Sequence, residues 1–564
     1  MPTYTVDTAG STAELSSILN GVREYTLTGM AHLMDGSPQR PSAEAYIRVK
    51  DGRIAESGYG TPRGSDSTST TVEIRGGAIV PGFVDPHIHL GLAAQSTSGT
   101  VDCNVDDHPS IDAIVGELVD NLPTADAREG WLIGRANLFT DQRLVDRRLP
   151  DRRDLDKVST TIPIALRCGA HVTILNSAAL ERLSERLGDE ELRGDASVEL
   201  GEGGTPTGEI HELFHRLDVP SPSQDELEDE LARLSRDLLL ANGVTTLGEI
   251  SDSRDMLESV LRLHARGDIQ QTAHLYLTVP WAFSDTTEAL EWLDGRPCGL
   301  TTGPEAATVR GIKLFIDGGF SAKGAATLMP YTLRGSDTQP NYGRLAYGFD
   351  DLVAILHEAE GRGLDVLAHA NGERAQWLLC SAAMGVESRR TMIRAEHGLN
   401  WVSQAATVQI FKDAAVTPVP QASFIWHLAP FLPNYLGAAA ERGRMSFRRY
   451  FDEGMPVGVA SDATGSEMKI FAPLFNMALT MDRHGCNGDP VEPDQAVTFA
   501  EALWMHTKGA AAAMGLDGAA GALTKDSAAD WVILSNDPGS SNDLSRTAVW
   551  AVARSGALAW TAAQ

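Results

Sequence analysis

The sequence predicts an α/β fold: a (β/α)8 TIM barrel with an inserted subdomain, joined to a small β-sandwich built from both chain ends. Three observations predict it. Eight short apolar runs bounded by turn residues read as buried strands, stretches of helical period separate several of them, and chemically reactive side chains stand in or near the ends of five. In parallel barrels the reactive groups gather at the C-terminal ends of the strands, so the third observation supports the first two independently.

The elements follow in chain order. Residues 1–82 supply the first part of the sandwich: Tyr25-Thr-Leu-Thr and the run from Ala45 to Ala55 alternate as strands do, with Asp51-Gly52 as a hairpin turn. Pro81-Gly82 then redirects the chain into the barrel, assigned to residues 83–510. Its strands are expected at Phe83 to His89, Val244 to Ile250, Ala273 to Val279, Gly311 to Asp317, Asp365 to His369, Ile393 to His397, Ala415 to Gln421 and Pro456 to Asp462. Helical stretches from Asp351 to Ala359 and from Arg374 to Cys380 alternate with them.

The gap after the first strand is far longer than one helix needs, so residues from about 95 to 235 carry an insertion. It holds helical material at Ile111 to Val119, and the stretch from Asp225 to Leu240 is acidic early and apolar late, as an amphipathic helix leading into the second strand should be. An insertion at that point overhangs the barrel mouth and can act as a lid. Residues 511–564 return to the sandwich through Ala529 to Leu534 and Ala548 to Ala557.

Composition narrows the function classes. A chain of 564 residues exceeds one ordinary core, and its 47 basic and 76 acidic side chains give a formal charge of −29. That balance argues against nucleic acid or an anionic membrane surface as partner. The five cysteines, Cys103, Cys168, Cys298, Cys380 and Cys486, show no paired spacing, which fits a reducing compartment. No basic n-region with an apolar h-region opens the chain and no stretch is apolar enough to span a bilayer, so a cytoplasmic protein is expected.

The chemistry starts at His87 and His89. Residues i and i+2 of a strand share a face about 7 Å apart, so at a twisting strand end both imidazoles can grip one metal ion. Lys313, His369, His397 and Asp462 occupy comparable positions downstream. Taken singly, Lys313 reads equally as a solvated strand residue and Asp462 as a turn residue after Ser461. Their joint occurrence is what points to a metal centre.

At this point the residues match a family. The chain resembles the amidohydrolase superfamily, within it the YtcJ-like or amidohydrolase family 3 branch that includes N-substituted formamide deformylases. The marks are Pro81-Gly-Phe-Val-Asp-Pro-His-Ile-His89, Ala170-His-Val-Thr-Ile-Leu-Asn-Ser-Ala-Ala-Leu180, Pro206-Thr-Gly-Glu-Ile-His-Glu212, Gly311-Ile-Lys-Leu-Phe-Ile-Asp-Gly318, Ala368-His-Ala-Asn-Gly-Glu-Arg-Ala375, Arg394-Ala-Glu-His-Gly398 and Ala460-Ser-Asp-Ala463.

The resemblance implies a centre of one or two divalent ions, usually zinc. His87 and His89 would hold the first metal, His369 and His397 the second, and a carbamate on Lys313 would bridge them. Asp462 would bind the first metal and serve as the base for an activated water. It also implies a small-molecule substrate and a homodimer. Asp317 and Glu396 can orient ligands, or act as caps and salt-bridge partners; His171 can reach back to the substrate from the insertion, or fill a core. Gln421 and Trp426, with His427, are candidate pocket residues beside the seventh strand. The glycine-rich loop from Asp317 to Ala326 maps onto no substrate class.

Three functions compete on this reading. Hydrolysis of an amide, formamide or carbamate C–N bond uses the full ligand set. Deamination of a ring amidine carbon is typical of mononuclear relatives without the bridging lysine, so Lys313 argues against it. A metal-free binding protein on the same fold would have lost ligands, and here all six are present.

Overall fold

A computed structural model gives the structure of the chain for residues 3–36, 38–62, 70–169, 171–187, 197–211, 217, 219–283, 285–294, 307–333, 339–386, 389–539 and 542–563. Cys298 and parts of the expected insertion lie outside these residues. Seven parallel strands form a nearly closed barrel sheet in chain order: Phe83–Ile88, Val244–Ser251, Thr272–Thr278, Thr308–Phe315, Asp365–His369, Ile393–Glu396 and Thr417–Val419. Every residue of Val244–Ser251 and Thr272–Thr278 is buried. Both faces of such a strand are covered, which is why these segments read as continuous apolar runs and not as alternation.

The eighth run, Pro456 to Asp462, departs from expectation. It is not a regular strand and makes only the isolated bridge of Ala460 to Gln421. It nevertheless fills the closing position: the Ala460 N–H donates to the Pro420 carbonyl at 3.1 Å and the Asp462 N–H to the His87 carbonyl at 3.0 Å. Between them the Asp85 carboxylate accepts both the N–H and the hydroxyl of Ser461, so a side chain takes the place of a ladder acceptor. A carboxylate in that role costs the strand its regularity and fixes the direction of the next residue, Asp462.

Close strand packing sets one strong requirement. A Cβ placed on Gly311, two residues before Lys313, would stand 1.9 Å from the Asp365 carbonyl oxygen and 2.7 Å from its carbon. Backbone cannot yield as a flexible side chain can. Gly311→Ala is therefore expected to destabilise the fold by about 2–4 kcal/mol, measured as a fall in the urea midpoint at unchanged slope.

Two further sheets accompany the barrel. A six-stranded sheet from Val101 to His211 is ordered 198–200, 206–211, 172–175, 164–168, 132–136, 101–102. It is fastened to the loop after Asp462 by Arg135, which donates to the Gly465 carbonyl at 2.7 Å, and by Asn137, which donates to Glu467 at 2.7 Å. A nine-stranded sheet takes strands from both chain ends, and Trp531–Leu534 pairs antiparallel with Ala78–Pro81, placing Ile533 opposite Ile79. Its own apolar cluster includes Leu27, Ile47, Ile79, Trp531 and Ala551. The hairpin turn falls where expected, with Asp51 and Gly52 at φ of 47° and 81°, as a type I′ turn requires.

The helix expected from Asp225 to Leu240 is α-helical only over Gln224–Leu234, with Ser223 capping it. It widens into a π turn over Ser235–Leu239 and tightens through Leu240–Asn242 before Gly243 at φ 81°. This adjustment lets the chain enter the second barrel strand directly at Val244. Among the described residues no helix is long and apolar enough to cross a membrane, and Cys103, Cys168, Cys380 and Cys486 are free thiols.

Candidate metal centre

The first barrel strand ends at Ile88, and His89 opens the helix Leu90–Thr97. Both histidines of the pair are anchored through Nδ1 to a carboxylate: His87 to Glu396 and His89 to Asp252, the latter at 2.8 Å. The Nδ1 proton is thereby committed, and the Nε2 lone pairs are left facing each other at 3.2 Å. Asp462 Oδ1 stands 3.4 Å from His87 Nε2 and 3.6 Å from His89 Nε2.

Burial, reinforced by Lys313 and the other cations nearby, holds the His87 imidazolium form far below its ordinary range, so the ring is neutral. Three candidate ligand atoms therefore converge: His87 Nε2, His89 Nε2 and Asp462 Oδ1. Their spacing matches the roughly 3.3–3.4 Å edge of a tetrahedron with metal–ligand bonds of about 2.0–2.1 Å. The residues present fit a divalent cation.

His397, His369 and Lys313 complete the cluster. His397 belongs with His87 and Asp462 to a set whose ligand atoms all lie within 4.8 Å of one another. Its ring centre is 5.3 Å from that of His87 and 4.4 Å from that of His369. Burial lowers the pKa of both His369 and His397 well below the usual imidazole value.

Lys313 is fully buried, its Nζ has no hydrogen-bond partner, and it lies 4.9 Å from the centre of the Phe315 ring. Burial pulls its pKa down against the attraction of Glu396, Asp462 and Asp252. Asp462 is shifted the other way, upward by burial, with His89 and Lys313 opposing. An orphaned amine amid carboxylates and neutral imidazoles suits a neutral or derivatised nitrogen better than a free ammonium.

The backbone here is unusual where the side chains must turn inward. His397 and Asp462 adopt φ of 66° and 53°, conformations that non-glycine residues rarely take and that collect at functional sites.

Supporting residues that sequence reasoning passed over are prominent. Asp252, one residue past the second strand, is held by the Thr278 hydroxyl at 3.0 Å while it accepts from His89. Its only sequence signal was an acidic residue at a strand end. Asp85 is pushed up to about 6 by burial, and Glu249, which accepts from the Leu90 and Gly91 N–H groups, up to about 8. Glu396 does orient a ligand, and it is in turn clamped by Arg394 through bonds of 2.8 and 3.1 Å. Glu396→Gln is expected to loosen the metal about 10–100-fold, read by chelator competition, because the His87 ring loses its charged anchor.

A cavity of about 50 Å³ lies against the cluster, bordered by His171, Trp281, Phe315, Phe424, His427 and Asn371 beside the histidines, Lys313 and Asp462. His171 reaches in from the six-stranded sheet, its ring 5.9 Å from that of His369. Gly319 of the glycine-rich loop makes room for it, since a Cβ there would stand 2.7 Å from the His171 ring.

Three other expectations resolve differently. Gln421 does not border the cavity; it accepts from His397 Nδ1 at 2.8 Å and so aims that ring. Asp317 accepts from the N–H groups of Ala326, Asn371 and Gly372, and its Oδ1 lies 3.9 Å from His369 Nε2. Trp426 packs on Phe475 and under Lys469, away from the cavity, because the short helix Phe424–His427 turns Phe424 and His427 inward instead.

A parallel barrel that gathers four histidines, a lysine and an aspartate at the C-terminal ends of its strands is built as a hydrolase with a candidate metal centre. The chain belongs to the amidohydrolase family, whose family model matches residues 70–558. It is similar to an N-substituted formamide deformylase of Arthrobacter pascens, 25% identical over 525 residues covering 88% of this chain and 91% of that protein. It is also similar to the putative amidohydrolase YtcJ of Bacillus subtilis, 22% identical over 87% of this chain and 91% of that one. Among solved structures, an uncharacterized metal-dependent hydrolase from Pyrococcus horikoshii OT3 superposes with a TM-score of 0.67 at 21% identity, covering 91% of this chain and 98% of that one.

Proposed function

We propose that this protein hydrolyses a non-peptide C–N bond, an amide, formamide or carbamate, in a small neutral molecule. The observation that carries the reading is the convergence of His87 Nε2, His89 Nε2 and Asp462 Oδ1 within 3.6 Å of one another, next to the unpartnered amine of Lys313. In this reading residues 83–510 are the catalytic unit, the 101–211 sheet selects the substrate, and residues 1–82 with 511–564 form one support.

His87, His89 and Asp462 would hold a first divalent ion, zinc by the preference of a histidine and carboxylate set, and His369 and His397 would hold a second. A bound cation of this kind lowers the pKa of water to about 7 and polarises a carbonyl oxygen. Lys313, whose pKa burial lowers, would be the residue to carry a carbamate beside both sites, its amine giving up a proton as the N–C bond to carbon dioxide forms.

Asp462 performs the proton transfers: its carboxylate accepts a proton as water attacks the carbonyl carbon, then delivers it to the departing nitrogen. Burial raises its pKa and keeps the exchange in balance. Trp281, stacked on Phe315 at 4.3 Å, forms an apolar wall with Phe424 and Leu138 that excludes water and receives an apolar nitrogen substituent. Among the described residues bordering the cavity there is no arginine, and Lys313 is committed to the cluster, so a substrate carboxylate would meet only hydrogen-bond donors such as Asn371, Thr464 and Ser466 and no guanidinium. That favours a neutral amide over an N-acyl amino acid, and the name of the Arthrobacter relative agrees.

The test is metal analysis with turnover before and after chelation, over N-formyl, N-acyl, carbamate, cyclic amide and ring amidine compounds. Activity should track metal content, return with zinc, and be highest on uncharged N-substituted amides. Unchanged turnover after complete metal removal would overturn the reading, and ammonia release from ring amidines alone would replace it with deamination.

A further inference from the structure

The opposite end of the barrel holds a larger cavity, of about 360 Å³, with no part in this chemistry. Its walls come from the N-terminal halves of three adjacent strands, through Thr246, Thr272, His274, Thr308 and Arg310, and from Arg53 and Asp530 of the neighbouring sheet region. Arg310 is three residues from Lys313, so the two sites are about 10 Å apart along one strand. The fully buried cluster of Ile250, Tyr276 and Leu367 lies between these levels of the barrel.

His274 is the unexplained group. It is 6% exposed, it borders the cavity, and neither ring nitrogen has a hydrogen-bond partner. Buried imidazoles are ordinarily satisfied, and one left with both nitrogens open toward a polar cavity marks a place where something else supplies the partners. Burial with Arg310 and Arg394 nearby pushes its pKa down to about 3, so the ring offers one donor and one acceptor.

The charges around it are unequal. Asp365 is engaged by Arg310 at 3.1 Å and by the Met392 N–H at 2.9 Å. Asp530 is engaged by Arg554 and by the Ser555 N–H. The one wall carboxylate, Asp530, and the neighbouring Asp365 are therefore already answered. Arg310 gives Asp365 one of its five N–H donors, and Arg53, at the exposed rim, gives one to the Asp526 carbonyl at 2.8 Å. Two guanidinium groups with donors to spare, flanked by threonine hydroxyls, are built to receive anionic oxygens.

We propose that this cavity binds a small oxyanion that also carries a hydroxyl group, hydrogen phosphate or a short hydroxycarboxylate, between Arg310 and Arg53 with His274 as its hydrogen-bond partner. The guanidinium groups take the anionic oxygens. The imidazole gives its N–H to one oxygen and receives the ligand's O–H on the other nitrogen.

Calorimetric titration of the metal-loaded protein with inorganic phosphate, malate and sulfate tests this, with Arg53→Gln, Arg310→Met and His274→Phe titrated in parallel. Phosphate can also meet the metal centre, so its inhibition of turnover is measured on every protein. Expected is a saturable binding step for phosphate, malate or both that weakens at least about tenfold in Arg53→Gln and Arg310→Met and vanishes in His274→Phe, while inhibition of turnover stays the same. Which anion binds tells the two sources apart. Arg53 is exposed, so its variant keeps the test meaningful should a buried substitution fail to fold. Equal binding in all four proteins would place the anion at the metal centre only and overturn the proposal, as would sulfate binding as tightly as phosphate and malate.

Discussion

Lys313→Met is expected to abolish turnover and raise the stability of the metal-free protein together. Methionine keeps most of lysine's buried stem without the amine and can carry no carbamate, so the proposed link between the two metal positions would be lost. A fall in kcat/KM of at least about a thousandfold should accompany loss of one metal equivalent, both read on the same preparation. The stability change has the opposite sign because Nζ is fully buried with no partner in the fold as it stands. Removing that amine should stabilise the chelated protein by about 1–3 kcal/mol in urea unfolding. Wild-type turnover in the variant would remove Lys313 from the chemistry, and a destabilised metal-free variant would contradict the account of its burial.

The second large effect belongs to Asp462→Asn. Asparagine is nearly isosteric, and it tolerates the positive φ of 53° at this position better than most residues. Its N–H bond to the His87 carbonyl is a backbone bond and is untouched. Fold and unfolding midpoint should therefore persist. An amide cannot accept the proton that attacking water must release, so kcat/KM should drop by about 10²–10⁴-fold with most of the metal retained. Wild-type activity is expected to fall with decreasing pH as this carboxylate is protonated, and that acidic limb should vanish in the variant. Asp462→Asn turning over as fast as wild type would exclude the assigned base.

The barrel was legible in the sequence because strands buried on both faces have no freedom to be anything but apolar, and each is short enough to be bracketed by turn residues. The segment Pro456 to Asp462 looked like the others in composition, yet a ladder depends on where N–H groups point, and Asp85 captures that of Ser461 from 376 positions away. Nothing local announces such a bond.

The same limit separates the ligands from their supports. His87 and His89 declare themselves by spacing. Asp252 acts through a 163-residue separation and reads in isolation as an ordinary turn carboxylate. Trp426 was the more conspicuous aromatic, but a four-residue helix decides which of its side chains face inward, and that phase cannot be read from four letters.

The pairing of Trp531–Leu534 with Ala78–Pro81 has a consequence for biosynthesis. Gly82 N–H donates to the Asp530 carbonyl at 2.9 Å, so the hinge just before the first ligand strand is buttressed by residues that follow the whole barrel in sequence. His87 and His89 are translated well before the strand that braces them. Completion of the proposed metal site would therefore wait on translation of the 531–534 strand.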